Sequence, residues 1–159
     1  MAVPKPVPET PGISLADLLQ LQWLAAAYWA RADGATKYAI IDLFTEDSVL
    51  TLGALTLTGL RDIEAFFLER DASHRAAGRT TRHVASNFLA LPEGEGRVLV
   101  RSTVLVFAGQ GPLPLPVVLP SGIADFEDVC VSSAPGRWKY LRRTGRSIFI
   151  GADAPSFVR

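Results

Sequence analysis

The sequence predicts a single α+β domain, helices first and a long-stranded antiparallel sheet after them. Three observations predict it. Apolar residues recur at helical spacing in the first half, the pattern changes to paired strands from residue 80 onward, and 159 residues at 48% apolar composition suffice for one core. Residues 1–13 carry four prolines and read as an extended arm, because proline fixes φ and removes a backbone donor. Ser14 followed by Asp17 has the form of a helix-starting cap, with an acid in place of the usual Glu or Gln. Leu15, Leu18, Leu19, Trp23, Ala26, Ala27 and Ala30 then repeat at helical spacing, and Gly34 supplies the stop.

A short second helix is expected over residues 37–43, with Tyr38 and Ile41 on one side, before a polar turn at 45–47. Residues 48–52 and 54–57 read as two short strands around Gly53. A third helix opens at Thr58 or Gly59 and runs to about Arg75, with Ile63, Phe66 and Phe67 apolar and Arg61, Asp62, Glu64, Glu69 and Arg70 facing water. Strands follow at 83–91 and 97–107, joined by the turn at 92–96, and at 123–132 and 137–150, joined by Ala134-Pro135-Gly136. Between the two hairpins, the Pro-rich aliphatic stretch at 111–122 is either a surface loop, a flap over a cavity or part of a subunit contact. The domain proper is expected over 14–152, with a tail at 153–159.

Sixteen basic residues balance sixteen acidic ones, so no global field draws the chain to nucleic acid or to an acidic membrane surface. Asp17, Gln20, Gln22 and Arg31 make the first helix too polar for a membrane span. The amino terminus lacks a basic start followed by an apolar run, which makes the cytoplasm the expected compartment. Cys130 is the sole cysteine and reads as a small buried strand residue, and the two histidines, His74 and His83, lack metal-site spacing. No serine nucleophile motif, phosphate loop or dinucleotide fingerprint occurs, so neither a metal nor a cofactor is expected.

The run Arg82-His83-Val84-Ala85-Ser86-Asn87 is the most informative for chemistry. If His83 points inward, strand alternation sends Ala85, Asn87 and Leu89 the same way, and Asn87 then reaches either a substrate oxygen or a structural partner. Trp23, Tyr28, Trp29, Tyr38, Phe66 and Phe107 are candidates for core or cavity lining, and a hydroxyl of Tyr28 or Tyr38 is suited to polarising a carbonyl. Arg101, charged within an apolar strand, either binds an anionic substrate or pairs with Asp125, Glu127 or Asp128. His74 is expected at the surface.

Five phrases taken together resemble the SnoaL-like branch of the nuclear-transport-factor-2-like superfamily over roughly residues 14 to 150. They are Tyr28-Trp29-Ala30-Arg31-Ala32-Asp33, Asp42-Leu43-Phe44-Thr45-Glu46-Asp47-Ser48-Val49, Thr58-Gly59-Leu60-Arg61-Asp62-Ile63, Arg82 to Asn87, and Gly136-Arg137-Trp138-Lys139. The resemblance implies a cone: a strongly curved antiparallel sheet packed on three N-terminal helices around an apolar pocket. It also implies two roles within the branch of scytalone dehydratase and bile-acid dehydratase, an acid after the first helix and a histidine opening a strand, which fall on Asp33 and His83. Read from residues alone, Asp33 is equally a helix-end cap and His83 equally a structural strand residue. On the resemblance, the chain is a cofactor-independent lyase or isomerase, most concretely a dehydratase, acting on a small, mainly apolar cyclic or polycyclic molecule. The family also contains noncatalytic domains such as the small subunits of aromatic-ring dioxygenases, so the competing reading is a ligand-binding or assembly domain partnered by a larger oxygenase chain. A homodimer is the expected oligomer, with a trimer second.

Overall fold

A computed structural model describes residues 12–94, 96–152 and 154 of the chain. Most of the expected arm at 1–13 and of the tail at 153–159 lies outside these residues. Helix α1 spans Leu15–Ala32. Its start is the one written in the sequence: the Ser14 hydroxyl oxygen accepts from the Asp17 backbone N–H at 3.1 Å, satisfying an end group that the helix itself cannot. A single 3-10 turn, Ile40–Leu43, follows, then strands β1 (Phe44–Leu52) and β2 (Leu55–Thr58), helix α2 (Gly59–Ala76), and four long strands. These are β3 (Arg79–Pro92), β4 (Arg97–Gln110), β5 (Gly122–Ala134) and β6 (Arg137–Ile150).

All six strands form one sheet in the order β2-β1-β6-β5-β4-β3, and bulges in several pairs bend it around the helices. Among the described residues no helix is long and apolar enough to cross a membrane.

Three expectations are corrected. Among the described residues two α-helices are present where three were expected, because the second shrinks to one turn closed by the Asp42 N–H on the Ala39 carbonyl before the chain extends at Phe44. The sheet is mixed, since β1 runs parallel to β6 while every other pair is antiparallel. The polar run at 45–47 is no turn: it lies inside β1, where the register against β6 slips between Phe44 and Val49.

The core lies between the helices and the inner face of the sheet. Tyr28, Leu24, Ile63 and Phe67 from the helices meet Phe44, Leu50, Val104, Phe126, Cys130 and Tyr140 from the strands. Burying each large side chain contributes roughly 1.5–3 kcal/mol. The buried face of α1 is Leu21, Leu24, Ala25, Tyr28 and Ala32, whereas Leu15, Leu19 and Trp23 are exposed, so the expected stripe was misplaced around the axis. The helix is apolar on nearly every side, and its periodicity alone does not choose a face.

Candidate functional site

Asp33 ends α1 as its C-cap, its backbone N–H on the Trp29 carbonyl, while its side chain reaches across to β3. Two contacts fix this corner. The Arg31 guanidinium pairs with Asp71 at 2.8 Å, tying α1 to α2, and Arg70 of α2 donates to the Ala32 carbonyl at 2.5 Å. The Asp33 carboxylate then receives three hydrogen bonds from β3: the Thr81 hydroxyl at 2.9 Å, the His83 backbone N–H at 2.8 Å and His83 Nδ1 at 2.6 Å. Both side chains are largely buried, at 11% and 7% exposure for His83 and Asp33. Burial opposes ionisation of Asp33, but the hydrogen bond and charge of His83, its backbone N–H and Thr81 outweigh it and hold the carboxyl below its ordinary range. A carboxylate facing Nδ1 places the proton of a neutral imidazole there and leaves Nε2 with the free lone pair.

Trp29 stacks on the imidazole with centroids 4.5 Å apart. Beside it opens a cavity of about 160 Å³, walled by Tyr28, Trp29, Phe66, Phe67, Val106 and Phe126, with Phe149 and Ile150 of β6. Trp29 and Thr81 touch both the cavity and the dyad; His83 itself is not among the walls. The polar walls include Arg70, His74, Arg79 and Thr81.

The other nominated residues divide. Tyr28, Trp29 and Phe66 line the cavity, and burial pushes the Tyr28 hydroxyl above its ordinary pKa, so it is a proton donor at neutral pH. Asn87 does not point inward. It sits at a bulge in β3 with φ at 55°, a left-handed conformation that asparagine tolerates, and the extra residue reverses the alternation. Phe88 and Ala90 therefore pack on the core while Leu89 is half exposed. Arg101 pairs with Glu127 at 3.0 Å on the outer face. Phe107 borders an outer groove formed with the Pro-rich segment, whose Leu113, Leu115 and Val117 also line it, and Tyr38 is 47% exposed.

Sequence reasoning missed Arg70 and His74, which it turned to water. Both fall on the face of α2 set by Ile63 and Phe67, three or four residues apart, and that spacing was the available signal. It also left unplaced a second charged pair. Asp128, in phase with Phe126 and Cys130 on β5, faces the core and accepts from Arg143 of β6, both fully buried. The Arg143 guanidinium lies over Tyr28, Phe126, Tyr140 and Trp29 at 4.0, 4.5, 4.7 and 4.9 Å from their centroids.

The SnoaL-like domain family matches residues 14–144. No curated protein matches the chain. Among solved structures, a scytalone dehydratase-like protein of Novosphingobium aromaticivorans is similar at 20% identity and a TM-score of 0.67, over 89% of this chain and 97% of that one. ActVI-ORFA of Streptomyces coelicolor is similar at 17% identity and 0.71, over 87% and 97%. An aromatic ring hydroxylase-like protein of N. aromaticivorans stands at 20% and 0.67, over 87% and 93%. At these identities the likeness is one of fold.

Proposed function

The chain belongs to the SnoaL-like domain family, and from that premise we propose that it is a cofactor-independent lyase or isomerase, most concretely a dehydratase, for a small, mainly apolar cyclic or polycyclic molecule. One observation carries the reading: the 2.6 Å contact of His83 Nδ1 with a carboxylate held by two further donors. Nε2 takes the proton from a carbon beside a carbonyl. Its electron pair forms the new double bond as the carbon–oxygen bond breaks. Asp33 keeps the tautomer and stabilises the imidazolium, which returns its proton to the departing hydroxyl so that water leaves. In this reading Tyr28, protonated and on the cavity wall, donates to the carbonyl oxygen.

The test is turnover of a panel of β-hydroxy cyclic ketones, followed by the absorbance of the conjugated product. His83→Ala, folded by circular dichroism, should lower it by about 10²–10⁴-fold; unchanged turnover rejects His83 as the base. A second reading, a binding or assembly domain, is favoured by the fact that His83 is absent from the cavity walls. It predicts no turnover by the isolated chain and copurification with a larger iron-containing protein.

A further inference from the structure

The cavity has a sided character that the dyad does not explain. Its apolar walls include Leu52, Phe66, Val106 and Phe149, while its ionisable walls among the described residues are Tyr28, the guanidinium groups of Arg70 and Arg79, and the His74 imidazole, with no carboxylate among them. Arg70 is partly buried, and its hydrogen bonds go to neutral oxygens, the Ala32 carbonyl and, at 3.4 Å, the Thr81 hydroxyl. The nearby acids are engaged elsewhere: Asp71 with Arg31, Asp33 with His83. Among the described residues no carboxylate makes an ion pair with Arg70, Arg79 or His74. Burial lowers the Arg70 pKa by more than the charges of Tyr28, Asp33 and Asp71 raise it, so the guanidinium is under-compensated, an unfavourable arrangement that an incoming anion relieves. Burial first, then the charges of Arg70 and Arg79, lower the pKa of His74, so it stands beside the two guanidinium groups as a neutral imidazole with an N–H to donate. His74, Arg79, Ala32 and Thr81 border both the cavity and an outer cleft, so the positive charge lies where the two meet.

We infer that the ligand is an amphipathic organic acid, its ring body against Phe66, Val106 and Phe149 and its carboxylate held by Arg70 with Arg79 and His74. This inference rests on the reading of the cavity as the ligand site, not on the chemistry of His83. Arg70 supplies the paired donors that suit a carboxylate, and Thr81, which Arg70 and Asp33 share, joins the anion site to the dyad.

The test is calorimetric titration of the full chain at pH 8 with 2-naphthoate and with 2-naphthamide, which have the same ring and nearly the same shape but differ in charge. Wild type should bind naphthoate about tenfold more tightly at low salt, the value of one charge-assisted hydrogen bond, and lose that preference as salt is added. Arg70→Gln should bring the two probes to near parity by weakening naphthoate alone. Arg79→Gln, away from the contact that ties α1 to α2, repeats the comparison if Arg70→Gln fails to fold. Parity in wild type, no binding of either probe, or a preference that survives the folded arginine variants overturns the inference. His83→Gln should keep the preference. If turnover survives loss of His83 while the preference holds, the dyad mechanism fails and the anion site stands; the converse pattern separates them the other way.

Discussion

Two paired carboxylates flank Trp29, Asp33 with His83 and Asp128 with Arg143, and they are built on opposite terms. Asp33 receives three hydrogen bonds, keeps slight solvent contact and has its pKa lowered. Asp128 receives one bond, from Arg143, with its other oxygen unpaired, as are Arg143 Nε and Nη2. Its burial outweighs the attraction of Arg143 and pushes the carboxyl up to about 6. The contrast shows that ion pairing alone does not set a carboxylate's charge; the number of donors offsetting desolvation does. A well-donated acid can hold a base ready for protonation, whereas a poorly donated one serves to keep a cation seated among aromatic rings.

Breaking the sealed pair should have the largest effect on stability. Asp128→Ala strands a guanidinium that cannot neutralise itself and should cost about 3–5 kcal/mol in urea denaturation. Arg143→Met should cost less, because the acid left behind can take a proton, and the double variant Asp128→Leu/Arg143→Met should recover much of the loss. A double variant no better than Asp128→Ala would show that the pair contributes more than mutual neutralisation.

At the open pair the large effect belongs to activity. His83→Ala should lower turnover by about 10²–10⁴-fold, the usual worth of a general base, with a small change in melting temperature. Asp33→Asn should leave the chain folded but shift the imidazole away from the Nδ1–H tautomer, which ¹⁵N NMR resolves directly. An unchanged tautomer would mean that the ring, and not the carboxylate, sets its own orientation.

The pH dependence of stability should separate the pairs by sign. The folded-state pKa of Asp33 is depressed, so its contribution is present above the ordinary value of 3.8 and is lost as pH falls through the lower folded value. That of Asp128 is raised, so folding favours the protonated acid, and its contribution is lost as pH rises from 3.8 towards about 6. Denaturation midpoints across this range should change slope at the low end in Asp33→Asn and at the high end in Asp128→Asn. The smallest effect is expected from Arg101→Ala, whose ion pair with Glu127 is 56% exposed on both sides and should be worth under about 1 kcal/mol.

Much of the frame is legible in the chain because it follows from short-range physics. The Ser14 cap, the long strands and the turns between them are set by residues a few positions apart. The phase of Asp128 with Phe126 and Cys130 is also readable by simple alternation, although which side faces the core is not. Legibility stopped at Asn87, where one left-handed residue reverses the alternation, and at α1, whose apolar residues surround the axis.

The sequence by itself therefore determined the order and kind of most elements, and it singled out Asp33 and His83 as residues whose chemistry matters if they meet. Tertiary structure alone decided that they do meet, at 2.6 Å, and that Arg70 and His74 face the apolar cavity while Arg101 and Asn87 line a separate polar pocket with Asp125, Glu127 and Arg146. The physical reason is range. Caps and turns are satisfied by near neighbours, whereas the partner of a buried charge is chosen by whichever distant strand or helix the packing of the core brings beside it.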